Sequence, residues 1–335
     1  MRHLRFLALF GLAILLFWKT TGLCASTGMV TFVFDDGLES VYQYAYPVLS
    51  GFGLPATVGV IANRMESADP EFMGESQLHA LQKAGWEIAS HGLNHKRPID
   101  IPKFFSDENC LPLRRIPGEH GLFDAKYQYE QLAGILEHDR PLTARASARE
   151  VRSEPGTYYF DQLIGEVTVH PFDPEHAEKE GLRAVSYQRE LADSKALLAA
   201  RGFAVTTFVT PHNYWTPEMS RLSQQYYGQV TNGGDDCNRR GQSNRFWLKR
   251  FVVHSDDSAG SIIALVKEHA IGENAWVIFC MHGVGSQLGW EPWDAAKLSR
   301  LAAFLKEQGV PVVTVAEGAK RWFAGGDAPG LEARP

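Results

Sequence analysis

The pattern that most constrains this chain is an alternation of apolar runs of strand length with stretches that place an apolar residue every three or four positions. Met29 to Phe34, Ala56 to Ile61, Trp86 to Ala89, Ala204 to Val209, Trp276 to Met281 and Val310 to Val315 read as buried strands. Ser76 to Ala84, Tyr187 to Arg201, Ser261 to His269 and Trp293 to Gln308 read as helices. Strands that alternate with helices build a mainly parallel sheet wrapped by helices. At 335 residues with 44% hydrophobic content, the chain has enough apolar material to close that sheet into a barrel, or nearly so.

The rhythm breaks between Arg97 and about Gly181, where stretches such as "VHPFDPEHAEKEG" are rich in Pro and charge. A segment this long and irregular reads as a functional insertion or lid at about residues 98–181. A short helix is expected near Tyr127 to Glu137, and the aromatic content argues against disorder. A net charge of -6 and a pI near 6.1 argue against nucleic acid or an anionic membrane surface as the main partner.

Residues 1–25 carry Arg2 and Arg5, then an apolar stretch from Phe6 to Trp18, then small and polar residues. This is the layout of a secretory signal peptide or of an N-terminal membrane anchor. Cys24 offers a lipidation residue, although Leu23 before it does not fit the usual site. The expected location is therefore periplasmic or extracellular, with membrane contact only through that segment. Three cysteines remain after it. A Cys110 to Cys237 bridge is open in an oxidising compartment, and Cys280, inside an apolar run, reads as a buried thiol. Residues 324–335 read as a flexible tail.

The chemistry gathers where the strands stop. The first run ends on Asp35 and Asp36, followed by Gly37. Two adjacent carboxylates repel unless a cation sits beside them or one is protonated. The third run ends on "HGLNH", with His91 and His95 four residues apart; the fourth runs into Thr210, Pro211, His212 and Asn213; the fifth ends on His282 and Gly283. Each motif alone has a bland reading as a turn or cap. Together they fall after four of the apolar runs, the first, third, fourth and fifth, and a parallel barrel collects such positions at its carboxyl-terminal rim, where barrel enzymes keep their chemistry. A metal held by one carboxylate and two imidazoles would account for the acidic pair.

The order F-x-F-D-D-G, "EIASHGLNH", a Pro-containing strand end and "FCMHG" resembles the polysaccharide deacetylases with the NodB homology domain, carbohydrate esterase family 4. The resemblance covers roughly residues 28–97 and 184–323, within a barrel domain of residues 26–323. It implies an α/β fold, a distorted (β/α)7 TIM-like barrel with one long insertion. It implies a metal-dependent hydrolase that removes acetyl groups from N-acetylhexosamine units of an exported or cell-surface polysaccharide. By position, Asp36, His91 and His95 look like the metal ligands, for Zn2+ or else Co2+ or Ni2+. Asp35 looks like the general base and His282 like the general acid, with an oxyanion donor from the Pro211 to Asn213 turn.

The chain also departs from the family pattern. The arginine usual two residues before the motif proline is replaced by Val209, and the usual aspartate–tryptophan motif is not evident. Arg250 is the candidate substitute, weighed against a surface arginine. Cys280 stands where a leucine usually lines the acetyl pocket, Gly92 replaces the usual Ser or Thr, and His212 either contacts substrate or caps its turn. Two other readings stay open: an amidase or deformylase on a small C–N substrate, and a catalytically silent carbohydrate-binding barrel.

Overall fold

The computed structural model describes residues 28–324 apart from 66, 68, 98–109, 128–131, 133, 139 and 286–288. The expected signal or anchor segment lies outside them, as does the tail beyond 324. Among the described residues no helix is long and apolar enough to cross a membrane.

Eight strands form one parallel sheet: β1 Met29–Phe34, β2 Thr57–Val60, β3 Glu87–Ser90, β4 Thr207–Val209, β5 Gln229–Asn232, β6 Leu248–Lys249, β7 Phe251–Val252 and β8 Trp276–Met281. Their spatial order is β6-β5-β4-β3-β2-β1-β8-β7. The two outermost strands are thus consecutive in the chain, with only Arg250 between them. One short segment bonds to β5 through β6 and to β8 through β7. Counted as a single distorted strand, it makes seven staves and nearly closes the ring, which gives the distorted (β/α)7 barrel.

Every residue of β1 and of β8 is buried, as expected of strands covered on both faces. They pair in register from Met29 with Trp276 to Phe34 with Met281. The one polar side chain in β1, Thr31, is satisfied by accepting from the Trp276 indole N–H at 2.9 Å. Helices Glu75–Lys83, Tyr187–Ala200, Ala259–Leu265 and Ala295–Glu307 fall close to their expected spans.

Three expectations are corrected. Val310 to Val315 is not a strand: Pro311 and Val313 bond only to Val30, and helix Val315–Trp322 begins behind Thr314, whose side chain accepts from the Glu317 N–H. Pro311 lacks the N–H that a continuing ladder needs, and Thr314 is a good helix cap. The β5 strand was missed because Gln229, Thr231 and Asn232 are polar yet buried. Their partners come only with the fold, as when Gln229 Nε2 donates to Thr207 Oγ1 at 2.7 Å.

The third correction concerns the insertion. Gly134–Glu137 is a strand, not part of a helix, pairing with Arg183–Val185 and Arg140–Pro141. The Glu137 carboxylate accepts from the backbone N–H groups of Phe172 and Asp173. A five-stranded sheet also forms there, in the order Arg114–Arg115, Phe123–Lys126, Glu166–His170, Thr157–Asp161, Thr143–Ala144. Phe123, Ile135, Tyr158, Val167 and Leu182 belong to a core separate from that of the barrel. The described residues of the insertion are therefore folded around a core of their own.

Candidate active site

The backbone puts the acidic pair at the rim. The N–H of Asp35 continues the ladder by donating to Met281 O at 2.8 Å, and that of His91 donates to Val60 O at 2.8 Å. Adjacent residues in extended chain point opposite ways, so the two carboxylates converge only because the strand breaks at once. Asp36 takes φ +70° and Gly37 φ +75°, left-handed values that are costly for most residues and easy for glycine. Asp35 remains beneath the rim, 3% exposed, while Asp36 swings toward the histidines.

His91 Nε2 lies 3.4 Å, and His95 Nε2 3.3 Å, from Asp36 Oδ1. His91 Nδ1 donates to Val209 O at 2.9 Å, which fixes the ring's orientation and turns its Nε2 toward the carboxylate. Asp36 Oδ1 is buried and has no hydrogen-bond donor. A buried acceptor without a donor, flanked by two imidazole nitrogens, fits a cation. The electrostatics agree. Burial pulls His91 down, but Asp35 and Asp36 outweigh it and raise its pKa, so the two carboxylates draw a positive charge, proton or ion, to its Nε2. His95 instead falls to about 3 through burial and the neighbouring His91. It is then neutral, as a ligating imidazole must be.

Asp35, Cys280 and His282 form a second close group, but its carboxylate is already engaged. Arg250 Nη1 donates to Asp35 Oδ1 at 2.7 Å, and the Cys280 thiol lies 3.5 Å from Asp35 Oδ2. Burial pushes the Cys280 thiol up, which keeps it protonated and a poor ligand. Burial also tends to raise Asp35, yet Arg250, His91 and His282 together hold it below the ordinary carboxylate value. The Asp36 group is therefore the better metal cradle and Asp35 an ionised carboxylate beside it.

Arg250 is completely buried, so it is no surface arginine. Its other nitrogen, Nη2, donates to Asn213 Oδ1, which commits Asn213 to the arginine rather than to a substrate. Pro211 has no N–H, and that of Asn213 donates to Thr210 O at 3.3 Å. The oxyanion role expected of this turn therefore falls to neither residue. His212, at φ +55°, packs its ring 4.2 Å from that of His95 and bonds the His95 carbonyl at 3.3 Å. It braces a candidate ligand. Cys280 is fully buried against Asp35 rather than lining an open pocket.

His282 is brought to the same rim. Burial lowers its pKa although Asp35 and Asp36 pull the other way, and its Nδ1 is buried without a hydrogen-bond partner. Sequence reasoning missed Trp290, whose exposed ring stands edge-on to His282 with centroids 4.5 Å apart. A tryptophan in a loop without helix or strand periodicity gave no signal. Cys110, Cys237 and Cys280 are all free thiols, so the Cys110 to Cys237 bridge is not formed.

Arg250→Gln should move the acid limb of any Asp35-dependent activity to higher pH. Asp35 is depressed in the fold, so it is ionised at and above its ordinary pKa and loses its charge only as pH falls through a lower value. Without the guanidinium, only His91 and His282 oppose burial and the carboxyl rises. A pH–rate profile with an unmoved acid limb would remove Arg250 from this role.

Residues 23–143 match a family model described as "Polysaccharide deacetylase". YxkH of Bacillus subtilis (strain 168), which carries a polysaccharide deacetylase description, is 35% identical over 66 residues. That match spans 20% of this chain and 23% of the relative. Among solved structures, the Xyl-CE4 domain of a multidomain xylanase from the hindgut metagenome of Trinervitermes trinervoides aligns at TM-score 0.46 and 14% identity, covering 90% of this chain and 91% of its own. Peptidoglycan deacetylase PdaC from Bacillus subtilis aligns at TM-score 0.43 and 12% identity, covering 90% and 95%. The family match includes the strand ends of Asp35, Asp36, His91 and His95, whereas the placement of Arg250 and His282 comes from the geometry above.

Proposed function

We propose that this chain, whose residues 23–143 match the polysaccharide deacetylase family, is a metal-dependent hydrolase that removes acetyl groups from N-acetylhexosamine units of an exported or cell-surface polysaccharide. The observation that carries the reading is the division of labour between two adjacent carboxylates. Asp36 offers a buried, donorless oxygen to two imidazoles, while Asp35 is held ionised by a buried arginine. A module that only bound sugar would have no need of the second arrangement. The exported location rests on the apolar N-terminal segment alone.

Asp36, His91 and His95 would hold the ion, Zn2+ being the first choice for one carboxylate and two imidazoles. When bound, such an ion polarises the acetyl carbonyl and acidifies the attacking water. Asp35 accepts the proton of that water, with Arg250 and Cys280 fixing its orientation. His282 offers a ring nitrogen within 4.8 Å of Asp35. Its lowered pKa leaves it neutral at rest. The proton it delivers to the leaving nitrogen is therefore acquired during turnover, the carboxyl of Asp35 being the nearby source.

The test is acetate release from a panel of acetylated glycans by the full chain. Release from an N-acetylhexosamine polymer is expected, lost with a chelator and restored by Zn2+. A metal-replete protein that frees formate or ammonia from small amides, but no acetate from any glycan, would overturn the substrate assignment.

A further inference from the structure

The two histidines of the candidate metal cradle are joined by Gly92, Leu93 and Asn94, and these residues are gripped from both sides. From one side, Ala62 N–H donates to Gly92 O at 3.0 Å and Asn63 N–H to Leu93 O at 3.1 Å. Asn63 Nδ2 also donates to Asn94 Oδ1 at 2.6 Å. From the other side comes Glu190, on helix Tyr187–Ala200. Its Oε2 accepts from the N–H groups of Leu93 and Asn94, each at 2.9 Å, and its Oε1 accepts from Asn94 Nδ2 at 3.0 Å. Glu190 is 7% exposed, so these bonds are largely shielded from competing water.

Gly92 fits the same device. It sits at φ +79°, and a Cβ added there would lie 3.3 Å from Glu190 Oε2 and 3.4 Å from Pro211 Cγ. The smallest residue leaves the carboxylate room against the loop. A buried carboxylate is costly unless hydrogen-bonded. This one spends both oxygens on the short loop between two candidate ligands.

We infer that Glu190 is a positioning residue for the metal cradle, holding His91 and His95 in register through the loop between them. This rests on the reading of Asp36, His91 and His95 as metal ligands. Glu190 touches neither the ion nor the substrate; it sets the spacing and orientation of the imidazoles.

Co2+ serves as the probe, because its visible absorption reports ligand geometry as well as occupancy. Purified wild-type, Glu190→Gln and Glu190→Ala chains are titrated with Co2+, and circular dichroism checks the fold of each. Glu190→Ala is expected to bind Co2+ ~10–100-fold more weakly, the usual cost of losing a partner that orients a ligand, with a changed absorption spectrum. Glu190→Gln keeps an oxygen able to accept from both backbone N–H groups and should stay within a few-fold of wild type. Should Glu190→Ala not fold, Glu190→Asp, one methylene short of the loop, takes its place with the same expectation. A folded Glu190→Ala or Glu190→Asp with wild-type affinity and spectrum overturns the inference, as does a Glu190→Gln as impaired as Glu190→Ala. A wild-type chain that takes up no Co2+ overturns the metal reading itself, and this inference with it.

Discussion

Asp35→Asn is expected to retain its metal and lose ~10²–10⁴-fold in turnover, the range that general-base catalysis contributes. The substitution is nearly isosteric and Arg250 can still donate to the remaining carbonyl oxygen, so the fold should survive. What disappears is a carboxylate kept ionised inside a buried site. Asp36→Asn provides the contrast. It removes charge from the oxygen between His91 and His95, so metal affinity should fall and excess Zn2+ should recover part of the activity. Metal content and acetate release measured on both variants decide the matter. A metal-free Asp35→Asn beside a metal-replete Asp36→Asn would reverse the two roles.

His91→Ala should lose its metal outright. His91 is 1% exposed, and its ring is fixed by the bond to Val209 O. Deleting it leaves two ligands, Asp36 and His95, fewer than zinc sites use. The loss should exceed the ~10–100-fold typical of removing a merely orienting partner, which makes it separable from the effect expected at Glu190. Elemental analysis of the purified variant is the measurement. Full occupancy would remove His91 from the ligand set.

Much of the site is local in the chain. Asp35, Asp36, His91 and His282 lie at strand ends and His95 on the short loop that follows one, and a strand reveals itself through a run of apolar residues that depends on no distant partner. A parallel arrangement then brings those strand ends to one rim. The polar strand β5 and the strand Gly134–Glu137 were illegible for the opposite reason. The buried polar residues of β5 and one edge of Gly134–Glu137 find their partners in segments far away in sequence, Thr207 and Arg183–Val185, and periodicity carries no trace of those bonds. The run Val310 to Val315 misled because its apolar residues cover the barrel without joining the ladder beyond Val30.

By itself the sequence determined the alternating α/β architecture, the rim on which chemistry would collect, and the residue types offered to a cation, since these follow from side-chain pattern and strand direction. Only the tertiary structure decided how those residues are held. Arg250 reached Asp35 across 215 positions because the barrel closes around the residue between β6 and β7. Glu190 reached the 93–94 loop across 97 and 96 positions by way of a helix that begins only after the insertion. A buried charge needs a partner, but sequence pattern does not say which; proximity created by strand order and chain closure does.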